Sequence, residues 1–184
     1  MFTPDQYHHW YAQLDRHAPL GYRDCGSSCG RICCTDYEED VGMYLFPGEE
    51  ALYPAQEDWY RIETSTCGAE GLYPRDDTPI HVFICDGRCP RHRRPLACRL
   101  FPLTPVLRPD GVFSLGYPLG AYPICPLTRT DPGTLHRGFR RAVRRVYREL
   151  LADPMLFARY LDESHVIREE SRAAWFIMMQ KHHL

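Results

Sequence analysis

Seven of the nine cysteines fall in two short clusters, and this constrains the fold more than any periodicity in the chain. Cys25, Cys29, Cys33 and Cys34 are spaced C-x3-C-x3-C-C, and Cys85, Cys89 and Cys98 are spaced C-x3-C-x8-C, while Cys67 and Cys125 stand apart. A disulfide framework fits poorly. The count is odd, two cysteines are adjacent, and the first thirty residues lack the positive start and apolar run of a secretory signal. No apolar stretch approaches the roughly 18 residues that a bilayer requires, so no membrane span is expected. The expected location is the cytoplasm, where thiols stay reduced.

Clustered reduced thiols point to metal ligation. Soft thiolates select zinc, Cu(I) or iron–sulfur clusters over hard cations. Four thiolates brought together without a cation repel one another, whereas structural zinc binding releases about 10–16 kcal/mol, large beside the stability of a small domain. Zinc knuckles favour C-x2-C, but both short pairs here are C-x3-C. The Cys89-Pro90 and Cys125-Pro126 pairs are of the kind that ends some iron–sulfur runs. The vicinal Cys33-Cys34 pair is expected to place both sulfurs on one tetrahedral ion only with strain. It therefore supplies one ligand and a neighbour, or serves two centres. The balance tips to an iron–sulfur cluster, with zinc as the alternative.

The charges divide unevenly. Residues 1–84 carry 15 acids and 5 basic residues, and residues 85–184 carry 9 and 17, within a net charge of −2. The simplest reading is that the two halves neutralise each other in one fold. Arg88, Arg91, Arg93, Arg94 and Arg99 surround the second cluster. They are placed either to pair with the acids or to neutralise thiolates and donate to sulfur. Arg94 and Arg99 are the candidates for that supporting role.

The 184 residues read as one α+β domain: a small, irregular, cysteine- and metal-centred unit with short strands, an N-terminal helix and C-terminal helices. Residues 20–126 form the cysteine-rich core and 134–184 the helical part. Thr3, Pro4 and Gln6 make a capping box for a helix running to Asp15, with Phe2 and Tyr7 as its hydrophobic staple. Residues 20–40 are expected to be an irregular loop. Val41–Phe46, Trp59–Ser65 and Pro79–Cys85 read as strands, Glu49–Leu52 as a short helix, and the proline-rich stretch 86–133 as turns and short extended pieces. From Thr134, Leu135, Phe139, Val143, Val146 and Leu150 recur at helical spacing among arginines. Asp153-Pro154 ends that helix, a second runs to about Leu161, and Ser164 is expected to cap a final one.

At the cysteines the chain resembles a known family. The run Cys25-x3-Cys29-x3-Cys33-Cys34, then Cys85-Asp-Gly-Arg-Cys89, then Arg94-Pro95-Leu-Ala-Cys98-Arg99-Leu-Phe101-Pro102 is similar to the CxxCxxCC family of zinc- or iron-chelating proteins, as is the apolar-Pro-Gly-Glu segment Met43–Glu50. The first cluster is one residue wider than the family pattern, and the Cys89–Cys98 gap one shorter, with His92 near the usual tyrosine. The resemblance implies a cytoplasmic protein with eight cysteine ligands and no assigned activity. A related pattern in flagellin lysine methylases is associated with an iron–sulfur cluster. The eighth ligand is then Cys125, in the constrained Pro-Ile-Cys-Pro turn, and Cys67 is a lone thiol.

The sequence names no reaction. It carries no Rossmann or P-loop glycine run, no Gly-x-Ser-x-Gly elbow and no His-Glu-x-x-His helix. Three functions fit: a metal-binding protein, an iron–sulfur enzyme modifying a protein or small molecule, and a zinc-stabilised interaction module using the arginine-rich helix. A protein partner is compatible with the last. Nucleic acid is disfavoured because that helix lacks a reading motif and its apolar stripe packs on a core. His8, His9, His92, His182 and His183 read as surface residues. Trp175, Phe176, Met178 and Met179 read as a packed face.

Overall fold

The structure is a computed structural model that describes residues 2–21, 24–35, 42–54, 56–87 and 89–181, with side chains through residue 171. Helix α1 (Pro4–Asp15) begins where its capping box dictates: Gln6 N donates to Thr3 Oγ1, and Thr3 N donates to Gln6 Oε1. Phe2 meets Tyr7 edge-on, 6.3 Å between ring centres. Tyr7, Trp10 and Leu14 lie on one face at i, i+3 and i+7 and are buried.

The expected loop 20–40 contains two single-turn helices, α2 (Gly26–Cys29) and α3 (Ile32–Thr35). Two successive left-handed residues, Gly30 and Arg31, reverse the chain between them. Strands β1 (Met43–Tyr44), β2 (Gln56–Glu57), β3 (Tyr60–Thr66) and β4 (Pro79–Cys85) form an antiparallel sheet of order β1-β4-β3-β2. Val41, the expected start of the first strand, lies outside the described residues. Glu49–Leu52 forms a 3-10 turn. Helix α4 (Leu96–Leu100) and the hairpin of β5 (Thr104–Leu107) and β6 (Phe113–Gly116) occupy the proline-rich stretch.

Helix α5 (Arg137–Leu150) buries Phe139, Val143, Val146 and Leu150 against α1 and α4. Trp10 Nε1 donates to Glu149 Oε2 at 2.7 Å, tying the first helix to α5. The expected break before Ser164 does not occur: α6 (Pro154–Lys181) is continuous. Ser164 is an interior residue whose Oγ donates to Tyr160 O and accepts from Leu107 N. That i−4 bond lets serine sit inside a helix, and no proline or glycine interrupts the run. His8, His9 and His92 are exposed, as expected. Arg88, His182 and His183 lie outside the described residues, and the side chains of Trp175, Phe176, Met178 and Met179 are not described.

Four ion pairs join the acidic first half to the basic second half: Asp24 with Arg91 and Arg94, Glu57 with Arg93, and Asp15 with Arg99. The two halves thus neutralise each other across the fold. Among the described residues no helix is long and apolar enough to cross a membrane.

Candidate metal centre

The wide C-x3-C spacing of the first cluster is a helical spacing. Cys25 precedes α2 and Cys29 ends it, so the two stand one turn apart, and Cys29 Sγ lies 3.7 Å from the Cys25 carbonyl. The reversal at Gly30-Arg31 then returns the chain, and α3 carries Cys33 and Cys34 back beside the first pair. The vicinal sulfurs are 3.8 Å apart. Two ligands on one tetrahedral zinc are also separated by about 3.8 Å when each Zn–S bond is about 2.3 Å.

The second cluster closes on the first through a glycine. Gly87, in the turn between Cys85 and Cys89, has a left-handed φ of 78°, and a Cβ there would lie 2.5 Å from the Cys34 carbonyl oxygen. The Gly87 amide also lies on the side of the Cys85 thiol, where it favours the thiolate. Cys98 rides on α4. Cys125 precedes the 3-10 turn Pro126–Arg129, where the backbone N–H groups of Leu127 and Thr128 donate to its sulfur.

Each of the eight thiols lies within electrostatic range of at least one other. Cys25 senses Cys29 and Cys125, and Cys33 senses Cys34, Cys25 and Cys29. Cys34 senses Cys89, Cys85 senses Cys89 and Cys98, and Cys98 senses Cys89 and Cys34. The ninth stands elsewhere: Cys67 is buried at the end of β3, with its sulfur 3.0 Å from Arg159 Nη2 on α6. Among the described residues, no three cysteine, histidine or carboxylate side chains are arranged to hold an ion as they stand.

Burial pushes the Cys25 thiol up to about 11 and raises Cys125. Cys98 opens onto a cavity but is otherwise walled by protein, and that burial raises it too. Within the pair Cys85/Cys89, Cys85 donates to Cys89 and is raised, while Cys89 is lowered by that bond and by Arg94.

Arg94 holds a central position. Its Nη atoms donate to both oxygens of Asp24, at 3.1 and 2.9 Å, and its positive charge lies near enough to Cys89 to favour the thiolate there. Its Nε is buried with no hydrogen-bond partner among the described residues. A buried donor without an acceptor costs about 1–3 kcal/mol unless something beside it accepts. Arg99 acts differently from the expected sulfur donor. Its guanidinium bonds Asp15, Arg94 O and His92 O and lies over the Tyr11 ring, so it reaches the thiols only through the backbone that carries them.

Two contributors went unnoticed in the sequence. Asp24 is adjacent to Cys25, but nothing local marks it as the partner of Arg94. Glu49, fully buried, lies within the apolar-Pro-Gly-Glu segment, which was the available signal. A cavity of about 1430 Å³ adjoins the thiols, lined by Cys25, Cys33, Cys34, Cys85, Cys89 and Cys98, and extending to Arg159 and Glu163.

No family model matches the chain, and no curated protein or solved structure matches it either.

Proposed function

We propose that this chain is a cysteine-ligated metal-binding protein of the CxxCxxCC kind. Its centre is held by Cys25, Cys29, Cys33, Cys34, Cys85, Cys89, Cys98 and Cys125, and an iron–sulfur cluster is favoured over zinc. The observation that carries this reading is the selective gathering of thiols: eight that share an electrostatic neighbourhood, and one, Cys67, bonded to Arg159 elsewhere. A cation bound among them would deprotonate the thiols it takes and offset the mutual repulsion of the thiolates so formed.

The donor set fits such a group. All eight candidates are soft sulfur ligands, and the buried Arg94 Nε, which has no partner among the described residues, suits an anionic acceptor such as a thiolate or sulfide. An iron–sulfur cluster supplies one-electron transfer, or Lewis acidity where a position is left open. The chain's own residues set its surroundings. Arg94 neutralises charge at Cys89, Asp24 holds Arg94, and backbone donors from Gly87, Leu127 and Thr128 reach Cys85 and Cys125. A cytoplasmic setting, which keeps thiols reduced, goes with this reading.

The cavity favours a second, narrower reading, an iron–sulfur enzyme acting on a small molecule or protein segment, over a closed zinc-stabilised interaction module. Six of the eight thiols line a space large enough for an organic ligand. The test is metal content after anaerobic purification of single variants. Cys89→Ser and Cys125→Ser should lose metal while Cys67→Ser keeps the wild-type amount. Equal metal content in all three would sink the eight-ligand assignment.

A further inference from the structure

Glu49 is the most deeply buried carboxylate among the described residues, and its bonds lead to the cysteine-bearing segment. Fully shielded from solvent, it accepts from Phe46 N at 3.0 Å through Oε2, and from Leu96 N and the Tyr11 hydroxyl, each at 2.5 Å, through Oε1. Leu96 is the first residue of α4, and Cys98 is the third. The residue before α4 is Pro95, whose side chain cannot cap a helix. Glu49, 47 positions earlier in the chain, takes the free amide that a local cap would have satisfied.

The same carboxylate connects to the second restraint on this segment. The Tyr11 ring that bonds Glu49 lies under the Arg99 guanidinium, 4.1 Å from the ring centre. Arg99 in turn holds the carbonyls of Arg94 and His92 at 2.6 and 2.7 Å. Tyr53 completes the group: its hydroxyl lies 3.2 Å from that of Tyr11 and donates to the Arg93 carbonyl. Residues 92–99 are therefore pinned from two sides by one buried group, and they carry both Cys98 and Arg94.

We infer that Glu49 is a positioning residue of the metal centre: by anchoring the start of α4 and, through Tyr11, the Arg99 brace, it orients Cys98 and Arg94 toward the other thiols. This inference rests on the metal-binding reading above. Glutamine at position 49 keeps the shape but supplies a second donor where the surrounding groups donate, so one bond to the Phe46–Leu96–Tyr11 set is lost. Disturbing a residue that orients a ligand typically weakens metal affinity 10–100-fold.

The experiment uses the full chain in reduced, metal-free form, titrated with Co2+ as a visible probe of thiolate ligation. Wild type is run first: absence of thiolate-to-cobalt absorption overturns the metal-binding reading itself, independently of Glu49. Given wild-type binding, Glu49→Gln should bind Co2+ at least tenfold more weakly, with charge-transfer intensity reduced to about that of Cys98→Ser. The double variant Glu49→Gln/Cys98→Ser should then lose clearly less than the sum of the two single losses, because both changes disturb the same ligand. Wild-type affinity and spectrum in Glu49→Gln, or additive losses in the double variant, would overturn the inference and leave Glu49 a core residue only. Should Glu49→Gln fail to fold by circular dichroism, Tyr11→Phe removes one donor from the same carboxylate. It must then show a partial loss of cobalt affinity, and unchanged affinity would overturn the inference.

Discussion

Gly87 and the carbonyl of Cys34 approach so closely that a single methyl group on Gly87 would lie 2.5 Å from the oxygen. This contact is the seam between the two cysteine clusters, which are separated by fifty residues in sequence. Gly87→Ala therefore meets two penalties, the steric clash and a left-handed φ that costs a residue with a side chain about 1–2 kcal/mol. The variant is expected to unfold at lower denaturant and to retain less than half the wild-type metal. Wild-type metal content in Gly87→Ala would show that the clusters do not depend on this contact.

Cys67 is held apart from the other eight thiols. Its sulfur and the Tyr73 carbonyl hold the Arg159 guanidinium, and Arg75 pairs with Asp162 at 2.7 Å, so the turn after β3 is docked on α6. Cys67→Ala is expected to cost about 1–2 kcal/mol of stability by leaving a guanidinium donor unmatched, with no change in metal per chain. Urea unfolding and metal analysis of the same sample separate the two effects.

Glu163 gives the fold a pH dependence. It lines the far end of the cavity, and burial raises it to about 7 against the pull of Thr104 and Arg159. The folded chain thus holds this proton more tightly than the unfolded chain does. The resulting stabilisation is complete below the unfolded value near 4.5 and is lost as pH rises through about 7. Glu49, raised by burial in the same way, adds to this slope, and His17, lowered by burial, opposes it. The difference between wild type and Glu163→Gln isolates the Glu163 part. The variant should gain relative stability between pH 5 and pH 8, on the order of 2 kcal/mol. A constant difference across that range would contradict the assignment.

Metal uptake should release protons. Cys25 and Cys125 lie above their ordinary values through burial, so they are protonated at neutral pH before metal arrives. Apparent affinity is therefore expected to rise with pH between 6 and 8. Calorimetry in buffers of different ionisation enthalpy counts the protons, and heats independent of the buffer would rule out thiol deprotonation on binding.

The parts of the fold that were legible in the sequence are governed by local chemistry. The capping box at Thr3 and Gln6 set the start of α1, the β-branched and aromatic run Pro79–Cys85 is strand β4, and the spacing of Phe139, Val143, Val146 and Leu150 marks α5. Expectations failed where a local signal had two meanings. Ser164 reads as a cap, but inside α6 it bonds its own i−4 carbonyl and the β5 backbone. The C-x3-C spacing reads as a widened knuckle, yet for Cys25 and Cys29 it is a turn of helix. The Asp24–Arg94 pair and the Glu49–Leu96 anchor bridge 70 and 47 positions, and no local pattern encodes contacts of that range. The clustering of seven cysteines was visible at once, whereas Cys125 stands apart in sequence and was marked only by its Pro-Ile-Cys-Pro turn and the eight-ligand pattern of the resemblance.

The most direct test of the central claim is metal and acid-labile sulfide analysis on anaerobically purified protein, with a visible absorption spectrum of the same sample. The expected result is a brown protein containing iron and sulfide, with broad visible absorption that Cys89→Ser diminishes. Stoichiometric zinc in a colourless protein would contradict the cluster while keeping the thiolate centre. A chain with neither metal, and with its eight clustered thiols freely alkylated, would contradict the account itself.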